Sequence, residues 1–142
     1  MKDRLTDTIE EFNGFKFNEN RICLNPKILI NYKHGHNHGP NYMTISMAEY
    51  RGKLYGAYDY WFVDGGGGCG VYIGNPKEAF DNERELAHHY LSMFERELNM
   101  RIRARQNSTE LDCKLNVQEL NHFLRKVGEY KDLYDPKQLT LF

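Results

Sequence analysis

Residues 42–63 read YMTISMAEYRGKLYGAYDYWFV, and the fold follows from how this stretch alternates. Met43, Ile45 and Met47 fall at every second position, with Thr44 and Ser46 between them. A period of two predicts a strand with one buried and one polar face. Arg51-Gly52 supplies a tight turn, and the aromatic run from Lys53 to Val63 predicts a second strand. Gly56, alone inside that run, marks a bulge or a close neighbour. The run DGGGGCG from Asp64 reads as a wide flexible turn, and VYIG from Val71 as a short third strand. Connections this short predict antiparallel pairing.

Upstream, ICLNPKILINYK at 22–33 reads as strand, broken by Pro26 into an edge strand or two short pieces. The segment from Lys2 to Phe12 predicts a short helix through Leu5, Ile9 and Phe12, ended by Asn13-Gly14. Downstream, Asn75-Pro76-Lys77-Glu78 has the form of a helix start, with a cap, a proline and then an acid. Ala87, Leu91, Phe94, Leu98 and Ile102 recur at helical spacing, and Arg101, Arg103 and Arg105 close the run. Acid first and base last suits the helix dipole. These signals predict a long helix over about 76–104. A second helix is predicted over about 117–127, capped by Asn116 with Glu119 and stopped by Gly128. Strands first and helices after predict an α+β domain. Its antiparallel sheet of three to four strands, over about 22–73, has one face covered by the long helix. The expected division is one domain at 1–128 and an extended tail at 129–142.

The chain has 142 residues, 19 basic and 20 acidic, with a net charge of −1. That length fits one domain. The balance offers no global field for nucleic acid or membrane. No stretch approaches the roughly 18 apolar residues of a membrane span. The charged start, MKDRLTDTIEE, lacks a signal-peptide apolar region, so a complete cytoplasmic product beginning at Met1 is expected. Cys23, Cys69 and Cys113 are widely spaced and odd in number, which favours buried thiols over disulfides or a zinc site.

The last residues pose a different question. After Gly128 the chain reads EYKDLYDPKQLTLF. Pro136 opposes helix and pushes Asp135 toward extended backbone. The nine residues Glu129 to Lys137 could then reach about 30 Å. Gln138, Leu139, Thr140, Leu141 and Phe142 resemble the short peptide by which bacterial proteins bind the replication sliding clamp. That family motif is a Gln, a Leu, a small or acidic residue, a second Leu and a Phe. Gln138, Leu139, Leu141 and Phe142 match its specified positions, and Thr140 takes the variable one. The resemblance implies a small non-enzymatic accessory or regulatory protein of DNA replication, with the sliding clamp as partner and DNA met indirectly or weakly. Such motifs occur in polymerases, repair proteins and some mobile-element proteins. The run GAYDYWFVDGGGG before a helix is also similar in character to small accessory proteins of plasmids and phages. The alternative is that Leu139, Leu141 and Phe142 pack onto the protein's own domain.

Other constellations point elsewhere. Trp61 and Tyr58 in the aromatic strand, with Arg101, Arg103 and Arg105, form a candidate nucleic-acid surface. Half of the aromatics on a two-faced strand must nevertheless be core. His34, His36 and His38 alternate and could chelate a metal, as part of a metal-dependent enzyme with the glycine loop. Gly35 and Gly39 leave that loop without preorganisation, so a solvated connection is the preferred reading and no metal or other cofactor is expected. There is no nucleophile elbow, metalloprotease helix or dinucleotide fingerprint, so no catalytic residue is assigned and the residues weigh toward a non-enzyme.

Overall fold

The computed structural model describes residues 6–35 and 40–135. The chain is α+β, with two antiparallel sheets and two long helices. The strands are β1 (Glu10–Phe12), β2 (Phe15–Phe17), β3 (Lys27–His34), β4 (Asn41–Tyr50), β5 (Lys53–Trp61) and β6 (Gly66–Gly68). The helices are α1 (Glu83–Arg105) and α2 (Leu111–Leu133). β1 and β2 make a hairpin, and the larger sheet runs in the order β3-β4-β5-β6.

The alternation in β4 sets the layers. Met43, Ile45 and Met47 are buried on the helix-covered face with Phe62, just after β5, and Leu91, Phe94, Leu98, Phe123 and Val127 of the helices. Phe62 stands edge-on to Phe94, with centroids 5.9 Å apart and planes at 85°. Among the described residues, the other face is covered at one end, where Ala48, Tyr50, Tyr55 and Ala57 meet Phe17, Val71 and Ile73. Pro26 has the predicted effect: Ile22 and Cys23 make isolated bridges, and β3 begins after it at the sheet edge. Gly56 sits where α1 crosses β5, because a Cβ there would strike the Tyr90 ring and come within 3.1 Å of Leu86.

Several local expectations change. The described part of the amino-terminal segment is strand rather than helix: Glu10–Phe12 pairs with Phe15–Phe17 across the Asn13-Gly14 turn. Both turn residues take positive φ, 49° and 88°, which suits a hairpin. The Asn75-Pro76 signal makes only a 3-10 turn over Pro76–Glu78. Phe80 then pairs with Leu54 through two backbone bonds of 2.7 and 2.9 Å, which holds the chain extended. Asn82 caps α1 instead, accepting from the Glu85 amide at 2.9 Å. Asp64 to Gly70 is no wide turn, since Gly66–Gly68 pairs with Asp59–Trp61 as an edge strand. VYIG adds only a bridge from Tyr72 to Ile22.

α2 starts before Asn116 and runs through Gly128. A glycine inside a helix costs about 1 kcal/mol. Tertiary contacts beyond it oppose that cost: Tyr130 and Tyr134 pack on the core, Lys131 pairs with Glu95 at 3.3 Å, and Arg84 donates to the Leu133 carbonyl at 3.1 Å. The expected break between domain and tail at 128 therefore falls inside a helix. Of the cysteines, Cys23 is buried as expected, Cys113 is half-buried and Cys69 is exposed. Among the described residues, no helix is long and apolar enough to cross a membrane.

Candidate functional site at the end of the sheet

The last residues of β3 and the middle of α2 meet beside the turn that follows β5. In a strand, side chains two apart share a face, so Tyr32 and His34 both face α2. In a helix, residues three apart are neighbours. Glu119 and His122 therefore flank the buried Leu120 and Phe123 together and meet β3 as a pair. Glu119 Oε1 lies 2.7 Å from His34 Nδ1. The His34 and His122 rings stack with centroids 3.7 Å apart. Tyr32 Oη lies 2.5 Å from His122 Nε2. Burial, and after it the neighbouring His34, holds His122 below the usual histidine range. Burial also raises the Tyr32 phenol.

Asn41 ties this cluster to the turn. It is buried, and its Nδ2 donates to Glu119 Oε1 at 3.2 Å while its Oδ1 accepts the Val63 amide at 2.7 Å. Val63 has a φ of 72°, an outlier for a β-branched residue. The Asp64 amide bonds back to the Phe62 carbonyl at 2.8 Å, so residues 62–64 form a γ-turn of the rare, strained hand. Arg101 holds it from α1, its Nη1 donating to the carbonyls of Phe62 at 2.7 Å and Gly65 at 2.9 Å. Asp64 bridges Arg101 and Arg105. Gly35 is required twice over: its φ is 96°, and an added Cβ would lie 2.9 Å from Glu119 Oε1.

Between these parts is a pocket of about 550 Å³, walled by His34, Asn41, Val63, Glu119, His122 and Leu115. A carboxylate on Nδ1 fixes the His34 tautomer and orientation, the arrangement that lets an imidazole take or give a proton. No hydroxyl or thiol side chain lines the pocket among the described residues, and its walls offer imidazoles, carboxylates and hydrogen-bonding amides.

The residues singled out from sequence are placed as follows. His34 is in the cluster, while His36 and His38 lie outside the described residues. Among the described residues, no group of three His, Cys, Asp or Glu side chains could hold a metal ion. Tyr58 and Trp61 face opposite ways. Tyr58 packs on the helix-covered core. Trp61 stands on the open end of the other face, 43% exposed, in a cross-strand row with Tyr42 and Lys33. A shallow depression of about 570 Å³ lies over that row, with Ile28, Asn31 and Thr44 beside it. Arg101 and Arg105 are committed to the γ-turn, and Arg103 is exposed. The structure therefore does not bring the three arginines and the two aromatics into one surface. Gln138 to Phe142 lie outside the described residues.

Sequence reasoning missed Glu119, His122, Tyr32 and Asn41. Glu119 reads as part of a helix cap, yet Glu119-Leu120-Asn121-His122 places a carboxylate and an imidazole on one helix face, and that spacing was the available signal. Comparison with family models, with curated proteins and with solved structures finds no match.

Proposed function

We propose that this chain is a small cytoplasmic accessory protein of a phage or mobile element that docks on the bacterial replication sliding clamp through Gln138, Leu139, Thr140, Leu141 and Phe142. The observation that carries the reading is the sequence QLTLF, which has the motif's residue at each specified position. Leu139, Leu141 and Phe142 would bury about 1.5–3 kcal/mol of apolar contact each. Ordering the peptide consumes part of that, so the expected affinity is near micromolar, about −8 kcal/mol. Gln138 would hydrogen-bond beside the pocket and fix the register. Tethering raises the effective concentration of the body at replicating DNA without new chemistry. Deletion of residues 138–142 is the test. It should abolish capture by purified clamp and leave the thermal unfolding of the body unchanged. Retained capture would refute the reading, and so would a body that unfolds when these residues are removed.

A second reading rests on the cross-strand row of Lys33, Tyr42 and Trp61. β6 is glycine at all three positions, so nothing from the neighbouring strand covers the Trp61 ring on that side. Base stacking on such a platform supports single-stranded nucleic acid as ligand. Trp61 is the one tryptophan of the chain, so its fluorescence reports directly. Quenching by an oligonucleotide that weakens with added salt supports this reading, and unchanged emission excludes it.

A further inference from the structure

The stacked imidazoles carry an inference independent of the clamp. His34 leaves β3 and His122 sits midway along α2, so the stack joins the sheet's edge strand to the second helix. The stack also forms one wall of the pocket. Among the described residues, this end of α2 is also held by Val117 on the core and by the Asn41–Glu119 bond. Its first turns expose Leu111 and Leu115, and the Glu110 cap makes no side-chain bond. From Leu120 onward the helix is buried against the core.

The charged surroundings are lopsided. From α2, the Glu119 carboxylate sits on His34 and also favours charge on His122, while Arg125 and Lys126, the latter paired with Glu129 at 3.0 Å, act on His122 as cations. Lys126 Nζ lies 5.2 Å from the Tyr32 ring centroid. From β3 come Tyr32 and His34, and from β4 the neutral Asn41. Across the pocket, Asp64 is already paired with Arg101 and Arg105. Glu119 is thus already bonded to His34. A proton on His122 is opposed by burial, by His34 and by the two cations, and is favoured by Glu119 alone among the charges named.

We propose that the His34–His122 stack is a proton-sensitive latch, closed while the His122 ring is neutral, that frees the amino-terminal half of α2 and opens the pocket when His122 takes up a proton. The sign follows from the surroundings. Burial and like charge depress His122 in the folded state, so the contribution of the closed latch is complete above the ordinary histidine pKa of about 6.5 and is lost as pH falls through the depressed value. Once His122 is protonated its Nε2 can only donate, so the Tyr32 phenol must accept.

Amide hydrogen exchange on the full chain tests this, at about pH 7.5 and about pH 5 with intrinsic rates corrected and a chelator present. The expected result is at least about a tenfold loss of protection over 111–122 at the lower pH, with 86–98 of α1 little changed. His122→Phe keeps a ring on His34 and removes the proton, so it should stay protected at both pH values. Equal protection of the native chain at both pH values would overturn the proposal. So would an acid-induced loss that persists in His122→Phe, a loss spread equally over α1, or a metal ion retained on the imidazoles through the chelator.

Discussion

The Val63 amide donates to the Asn41 side chain at 2.7 Å, and that bond holds a β-branched residue at a φ of 72°. Strain of this kind costs about 1–3 kcal/mol and persists only where its surroundings over-determine it. Asn41→Ala removes the acceptor, orphans the amide and takes a donor from Glu119. A loss of about 1–3 kcal/mol is expected in urea unfolding. Val63→Gly relaxes the backbone, so Asn41→Ala made in that background should cost less. Equal costs in the two backgrounds would show that the turn stores no strain.

Arg101 is the second restraint on that turn, and geometry rather than charge makes it effective. Its guanidinium reaches two carbonyls and Glu97 together. A lysine has the charge without the planar fork. Arg101→Lys should therefore destabilise nearly as much as Arg101→Ala, by about 1.5–3 kcal/mol in denaturant unfolding. Full stability in the lysine variant would mean that charge alone suffices.

At Gly56 the helix comes too close for any side chain. Gly56→Ala should cost about 1–3 kcal/mol, because the added methyl meets the Tyr90 ring. Thermal melts of Gly56→Ala in the native and Tyr90→Ala backgrounds separate this from a generic glycine effect. The penalty should shrink once the ring is gone.

Tyr90 also gives a pH signature. Burial pushes its phenol up to about 12. A folded value above the unfolded one of about 10 means that the stabilisation is complete below about pH 10 and is lost as pH rises through about 12. Tyr32, Tyr42, Tyr50 and Tyr58 are raised as well, and absorbance titration should show Tyr90 as the last step, coincident with alkaline unfolding. Tyr90→Phe should remove that late step.

Much of the framework was legible because its signals were periodic. Met43, Ile45 and Met47 alternate toward one core, and Leu91, Phe94 and Leu98 line one helix face that packs onto it. The boundaries were less legible because tertiary contacts decided them. Phe80 bridges Leu54 and postpones α1 to the Asn82 cap. Packed Tyr130 and Tyr134 carry α2 past Gly128. β6 was hidden because glycine has no strand propensity, yet a Cβ at Gly66 would strike the Tyr60 carbonyl. The pocket was hidden for a similar reason. Its members come from β3, β4, the γ-turn and α2, and no short stretch of sequence joins the strands to the turn and the helix. His34 stood out as a histidine, whereas the Glu119 that orients it lies 85 residues away and is held in turn by Asn41, 78 residues from it.

The most direct measurement is calorimetric titration of a purified bacterial sliding clamp with the full chain and with its Leu141→Ala/Phe142→Ala variant. The expected result is a Kd near micromolar for the native chain. The variant should bind at least about a hundredfold more weakly, since two apolar anchors of about 1.5–3 kcal/mol each are lost. Its melting curve should not change. No heat of binding from the native chain, or equal affinity from the variant, would contradict clamp docking.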